Sequence, residues 1–119
     1  MLLIFLLLLK HFVFDFWYQP PYQWQNKGTF GHLGGVLHSG QHAIATFAIL
    51  LFFANPIAAL VLSVCEFVAH YITDWSKMNL NKKMGWGANT HEEFWQLLGA
   101  DQLVHQIGYI LIVLCVGML

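Results

Sequence analysis

The sequence contains no arginine, and its 119 residues include few charged side chains of any kind. Charged residues make up 9% of the chain and hydrophobic residues 58%, whereas a water-soluble domain is usually about a quarter charged. Such a composition indicates that lipid, and not water, surrounds most of the protein. The formal net charge of −1 provides no basic patch for DNA or RNA, so nucleic-acid binding is excluded.

The chain is also poor in cysteine and lacks the marks of a cleaved leader. Cys65 and Cys115 both lie in apolar runs, where a free cysteine usually behaves as a small hydrophobic residue. Two cysteines form no disulfide framework. No positive residue precedes the first apolar run and no small-x-small cleavage site follows it, so we expect this run to be a retained anchor.

Four apolar stretches predict four membrane-spanning helices in a single domain that covers residues 1–119. Asn55 followed by Pro56 is typical of a helix N-cap with proline at the first helical position, which predicts a tight hairpin between the second and third helices. We therefore expect an all-α, four-helix transmembrane bundle that runs up, down, up, down. The predicted helices cover about 1–18, 37–54, 56–78 and 91–119, with connections at 19–36 and 79–90.

Aromatic and cationic side chains gather at the connection end of the predicted bundle. The five tryptophans flank the two connections: Trp17, Trp24, Trp75, Trp86 and Trp95. This is typical of the aromatic belt at a membrane interface. Four of the five lysines lie on the same side: Lys27, Lys77, Lys82 and Lys83. The positive-inside rule then puts the connections in the cytoplasm and both termini outside.

Ionisable residues recur on each predicted helix at a spacing of four. The pairs are His11 and Asp15, His38 and His42, His70 and Asp74, and Asp101 and His105. Residues at i and i+4 share a helix face, so the two members of each pair point the same way. An ionisable group costs several kcal/mol in the hydrocarbon region of a bilayer. We therefore expect all of these side chains to face the interior of the bundle.

The four pairs are also predicted to lie at nearly the same depth. His42 lies about 12 residues before the predicted hairpin and His70 about 14 after it, which puts both roughly 20 Å from the hairpin. His11 and His105 are at similar distances from the two termini, which lie on the hairpin side. The sequence thus predicts a layer of these four histidines. A second layer, one turn closer to the connections, contains Asp15, His38, Asp74 and Asp101.

Imidazole and carboxylate groups from facing helices are the usual ligands of a metal site in a helix bundle. The candidate ligands are His11, Asp15, His38, His42, His70, Asp74, Asp101 and His105. Such a set suits Zn²⁺, or Mn and Fe ions, and the lack of a nearby cysteine argues against a thiolate site. These candidates exceed one tetrahedral shell, so either two ions bind, or one ion binds the histidines while the carboxylates orient them. The alternative without metal is a network of His–Asp pairs that holds the helices together.

The ionisable pairs extend into four short motifs that cover nearly the whole chain. They read His11-x3-Asp15-Phe16-x2-Gln19, His38-x3-His42, His70-x3-Asp74-x2-Lys77 and Asp101-Gln102-x2-His105. A chain with these motifs resembles a group of small membrane proteins of phages and bacteria that is catalogued only as a domain of unknown function. It is more loosely similar to the membrane-bound metal-dependent hydrolases. The resemblance implies a bound metal and a location in a bacterial inner membrane or, for a phage protein, in the host membrane. It implies little about a substrate.

The predicted function is that of a membrane-embedded, metal-dependent hydrolase that acts near the interface on a lipid-like ester or phosphoester. The ion would activate a water molecule, and Asp15 or Asp101 would be the general base. One alternative is a structural protein that is stabilised by the metal and binds a protein partner through its connections. Another is an ion or proton pathway, but the helices beyond His42 and Tyr109 are almost wholly apolar, which argues against a complete channel.

The lysine distribution generates a test of orientation. We expect a reporter that works only in the cytoplasm to give no signal when it is fused after Leu119, because the termini lie on the side without lysine. The same reporter inserted in the 79–90 connection should be active. A bright C-terminal fusion would reverse the orientation and leave the predicted bundle unaffected.

Overall fold

The computed structural model describes residues 1–118, and it is all-α with no strand over that range. Helix α1 (Leu2–Phe12) continues into a π-helical segment (Val13–Trp17). The other helices are α2 (Pro21–Trp24), α3 (Leu33–Leu50), α4 (Pro56–Met84) and α5 (Glu92–Gly117). The end of the fourth predicted helix, at Leu119, lies outside the described residues.

The bounds of α3 and α4 differ from the predicted ones for local reasons. Helix α3 begins at Leu33 and not at residue 37, because His32 is its N-cap and Nδ1 of His32 accepts the Gly34 N–H at 3.0 Å. Helix α4 continues past residue 78 through a polar segment and ends at Gly85, which adopts a left-handed conformation with φ of 69°. The second connection is therefore shorter than predicted.

The predicted hairpin between the second and third long helices is present. The Asn55 side chain accepts the Ala58 N–H at 3.0 Å, and Pro56 occupies the first turn of α4. Helix α3 already ends at Leu50, so a short turn leads to the N-cap of α4. Helices α3 and α4 pack against each other along their length as a result.

The long helices enclose an interior that is mostly polar. Helix α1 contacts α3 and α5, and α4 contacts the same two helices. Apolar side chains are buried mainly towards the hairpin end, where they include Leu3, Leu7, Leu50, Ala59 and Ile112. Outward-facing residues of α4 are instead large and apolar: Ile57, Leu60, Val61, Val64, Val68 and Ile72. This distribution is the reverse of that in a water-soluble protein.

Two of the helices, α4 and α5, are long and apolar enough to cross a membrane. The 11 residues of α1 and the five of the π-helical segment form a shorter element, and α3 buries polar side chains in its first half. Of the four predicted spans, only α4 and α5 therefore have the length and composition of a membrane-spanning helix within the described residues. The all-α prediction is confirmed.

The first connection lies directly against the start of α3 because two glycines leave room for it. A Cβ atom at Gly34 would lie 2.4 Å from the backbone oxygen of Tyr22, and one at Gly35 would lie 3.2 Å from Cα of Lys27. This close approach brings the side chain of Lys27 into the interior, where the residue is 7% exposed. The two glycines thus determine where the positively charged side chain of Lys27 reaches the interior.

A substitution at Gly34 tests this close approach. We expect Gly34→Ala to destabilise the protein by roughly 1–3 kcal/mol, because the new methyl group overlaps a backbone oxygen that cannot move alone. Thermal unfolding in detergent measures the change. Gly99→Ala is the matched control, since nothing lies within 4 Å of its new Cβ and helix propensity favours alanine. Equal melting temperatures for Gly34→Ala and wild type would contradict the packing described.

Candidate metal centre

The π-helical segment after α1 directs Asp15 into the interior. The Tyr18 N–H donates to the Val13 carbonyl at 2.6 Å, five residues back, so the helical turn is widened at this point. Such π-helical turns are frequent at functional sites because they change the direction of one side chain. The Asp15 side chain is 4% exposed, and its Oδ2 atom lies 3.2 Å from Nε2 of His11.

Four ligand atoms from three segments converge around Asp15, and we call them the four-ligand centre. Oδ1 of Asp15 lies 3.0 Å from Nε2 of His38, 3.2 Å from Nε2 of His42 and 3.8 Å from Nε2 of His70. The Nε2 atoms of His38 and His70 are 3.1 Å apart. Zinc bonds of about 2.0–2.1 Å in a tetrahedron separate neighbouring ligands by about 3.3 Å. These four separations of 3.0–3.8 Å are close to that value, so the four residues can share one ion.

Some atoms of the four-ligand centre are buried without a hydrogen bond. Oδ1 of Asp15 and Nε2 of His42 lie 3.2 Å apart without the alignment of a hydrogen bond, and within residues 1–118 neither atom has a hydrogen-bond partner. A buried polar atom without a partner costs roughly 1–3 kcal/mol, and such atoms are rare in folded proteins. A bound cation would supply the missing interaction for both.

Asp74 and His105 extend the centre towards α5. Oδ2 of Asp74 lies 3.5 Å from Nε2 of His70 and 3.2 Å from Nε2 of His38, and Oδ1 lies 3.5 Å from Nε2 of His105. His70, Asp74 and His105 thus form a second group with ligand atoms close enough to share an ion. The two groups meet at His70.

His11 and Asp101 lie at the edge of this cluster. Nδ1 of His11 is 2.9 Å from the Tyr109 hydroxyl, and Nε2 is 2.7 Å from Oε1 of Gln102, so both ring nitrogens are engaged in hydrogen bonds. Since Nε2 of His11 also lies 3.2 Å from Oδ2 of Asp15, His11 holds Asp15 in place and has no ring nitrogen left for an ion. Asp101 accepts a hydrogen bond from Nε2 of Gln102 at 3.1 Å, and its other oxygen lies 3.6 Å from Nε2 of His105.

The four predicted layer histidines lie side by side. Ring centroids are 3.9 Å apart for His42 and His70, 4.1 Å for His70 and His105, and 5.1 Å for His11 and His105. The structure thus brings all eight predicted ligands into one cluster, with six of them in the two groups that can hold an ion.

Lys27 is a member of the cluster that the sequence analysis assigned only to the membrane interface. Its ammonium lies 3.1 Å from Oδ2 of Asp74. Burial alone would lower the pKa of the Lys27 ammonium, but the carboxylates of Asp74 and Asp15 outweigh that effect and raise its pKa. The adjacent pair Gly34-Gly35 was the available signal, because it permits the connection to approach α3 closely.

The sequence also did not predict that a second lysine, Lys10, is buried. It forms an ion pair with Glu66 and donates a hydrogen bond to the His42 carbonyl at 3.3 Å. Its ammonium also lies 4.7 Å from the centroid of the Tyr109 ring. The pair lies on the hairpin side of the cluster, and the two charges neutralise each other.

The formal charges of the cluster favour a divalent cation. Asp15, Asp74 and Asp101 carry three negative charges, and Lys27 supplies one positive charge among the buried groups around them. With neutral imidazoles, two negative charges are left in a region of low polarity. One divalent ion would neutralise them, since buried charges are stable only when they are paired or bind metal.

A cleft at the connection end reaches this cluster, and we call it the connection-end cleft. Its volume is about 280 Å³. Its polar lining consists of Asp15, Gln19, Lys27, Lys77, Asn81, Asp101 and Gln102. Asp15 and Asp101, the two candidates for the general base, therefore both line a space large enough for water and a small polar group.

The fold and the centre define an all-α chain with a buried His/Asp cluster that can hold a metal ion. A family model described as "Protein of unknown function (DUF3307)" matches residues 3–119. The chain belongs to this family, and its membership confirms the resemblance to a domain of unknown function. No curated protein and no solved structure matches the chain.

Proposed function

We propose that this chain is an integral membrane protein that binds a divalent metal ion, with Zn²⁺ preferred, in the four-ligand centre. The observation that carries the proposal is the convergence of one carboxylate oxygen and three imidazole nitrogens, at separations of 3.0–3.8 Å, in a buried region. Three nitrogens and one oxygen are a common ligand set for Zn²⁺. The same ligands bind Mn²⁺ and Fe²⁺ less strongly, because affinity rises along the first-row series towards copper and zinc.

The membrane part of the proposal is a four-helix transmembrane bundle formed by α1, α3, α4 and α5. It is supported by the apolar outer faces and the polar interior, which match a lipid surround. On α5, the large exposed side chains include Leu103, Ile107, Ile110, Leu111 and Leu114. We further propose that the connections face the cytoplasm of a bacterium, or of a phage-infected host, because four of the five lysines lie at that end.

Metal content is the direct test of the four-ligand centre. We expect His42→Ala and His70→Ala to lower the zinc content of purified protein and its melting temperature together, because part of the coordination free energy is folding free energy. His91→Ala is the control, since His91 is exposed in the second connection. Unchanged zinc content in both cluster variants would contradict the proposal.

A hydrolytic activity is a second candidate function, favoured by the connection-end cleft. A bound divalent ion polarises a water molecule and so supplies a nucleophile near neutral pH. Asp15 belongs to the four-ligand centre, which leaves Asp101 as the predicted general base that lines the cleft without ligating that ion. Lys27 and Lys77 contribute positive charge to the lining of the cleft. Positive charge there suits a lipid-like ester or phosphoester with an anionic head group.

The competing candidate is a structural role. A zinc ion with four protein ligands is usually structural, whereas a catalytic one keeps a position open for water. The connections would then bind a protein partner. An ion or proton pathway has less support, because Leu3, Leu7, Leu50 and Ala59 close the interior on the hairpin side.

Replacement of Asp101 separates the enzyme from the scaffold. In an enzyme, Asp101→Asn should abolish hydrolysis of a panel of lipid-like esters and phosphoesters, while the protein keeps its melting temperature and the ion of the four-ligand centre. In a scaffold, the same change should lower the melting temperature, because His105 loses a charged partner 3.6 Å away. Glu93→Gln on the exposed start of α5 is the control. A metal-loaded wild type that cleaves no member of the panel would contradict the hydrolase.

A further inference from the structure

Three buried ligand atoms next to α5 are not used by the four-ligand centre. Nε2 of His105 lies 3.5 Å from Oδ1 of Asp74 and 3.6 Å from Oδ1 of Asp101. The three side chains are at most 4% exposed. Over the described part of the chain, none of these three atoms has a hydrogen-bond partner.

The two carboxylates are held so that these atoms point at His105. Oδ2 of Asp74 is engaged by the Lys27 ammonium at 3.1 Å, which leaves Oδ1 for the other side. Oδ2 of Asp101 accepts the hydrogen bond from Gln102 at 3.1 Å, which likewise turns Oδ1 inward. Outer partners of this kind fix the ligands of metal sites in proteins.

We propose that Asp74, Asp101 and His105 bind a second divalent ion, which exchanges ligands with the connection-end cleft on the side of Asp101, the one of the three that lines this cleft. The separations of 3.5 and 3.6 Å from Nε2 of His105 to the two carboxylate oxygens are each those of two ligands on one ion with bonds of about 2.1–2.2 Å. Asp74 and His105 also belong to the second group whose atoms could share an ion. Three protein ligands leave room for water or a substrate oxygen, as in catalytic metal sites. Two carboxylate oxygens and one imidazole form a harder ligand set than the four-ligand centre, so this site accepts Mn²⁺ more readily.

The charge of the cluster makes this second site dependent on an anion. The three aspartates and Lys27 together carry a net charge of −2, which an ion in the four-ligand centre already neutralises. A second ion therefore adds two positive charges to a buried region. An anion in the cleft, next to Lys77, would offset them. The ligand class is therefore a phosphate or phosphoester, and the ion and the anion must strengthen each other's binding by the same factor.

This inference rests on the proposed zinc centre and gives Asp101 the role of a ligand of the second ion. The competing arrangement is a hydrogen-bonded Asp–His–Asp triad that binds no metal. In that arrangement His105 itself carries the positive charge between the two carboxylates. The two arrangements differ in whether the zinc-loaded protein takes up a further ion.

The experiment is a titration of detergent-solubilised full-length protein, loaded with zinc, with Mn²⁺. Free Mn²⁺ is counted by its paramagnetic resonance signal, and inorganic phosphate is either present or absent. We expect wild type to bind Mn²⁺ without losing zinc, and phosphate to tighten this binding about tenfold or more. Asp101→Asn and His105→Gln should each weaken Mn²⁺ binding by at least about tenfold and retain zinc, which also shows that they fold. Glu93→Gln should behave as wild type.

Three results would overturn the second site. If zinc-loaded wild type takes up no Mn²⁺, with or without phosphate, the three side chains form the metal-free Asp–His–Asp triad instead. Mn²⁺ uptake that is the same in Asp101→Asn and wild type would place the ion elsewhere. Mn²⁺ uptake that displaces zinc would mean one site and not two. A wild type that binds no zinc would instead overturn the four-ligand centre itself, and with it both proposals.

Discussion

The contact of one carboxylate oxygen with three histidines is the interaction on which the rest of the interior depends. Oδ1 of Asp15 lies within 3.8 Å of imidazole nitrogens from α3 and α4, and the Asp15 side chain is 4% exposed. A buried negative charge must be compensated by neighbouring groups, because the apolar outer faces of the helices provide no charged or hydrogen-bonding partner. Gln102 meets part of this requirement, because its Nε2 donates to Oδ2 of Asp15 at 3.4 Å. The same requirement supports the case for a bound cation.

Much of this cluster could be predicted from the sequence, because helical spacing and depth are properties of the chain alone. The pairs at i and i+4 fixed the face of each helix, and the hairpin at Asn55 and Pro56 fixed the relative level of two of them. Spacing does not specify which atoms meet across helices, however. That His11 supports Asp15 through its ring, with the Tyr109 hydroxyl on its other nitrogen, required the packed structure.

The two buried lysines could not be predicted in the same way, since a lysine near a connection or a helix end usually reaches solvent. Lys27 enters the interior because Gly34 and Gly35 let a connection lie against α3, which is a property of tertiary contact. Lys10 is buried because Glu66 meets it from another helix. The extension of α4 to Met84 has a similar origin, since its polar last turns have no clear apolar periodicity and end only at Gly85.

In the proposed transmembrane bundle, the unequal lengths of the helices have a consequence for the bilayer. Helix α1 with its π-helical segment is about 24 Å long, whereas the 29 residues of α4 extend about 43 Å. A hydrocarbon core of about 30 Å is thicker than the first element is long, so the bilayer beside α1 must become thinner to match it. Asp15 lies only two residues before the end of that element. Hydrophobic mismatch would thus bring lipid head groups down towards the level of the ligands on one side of the protein.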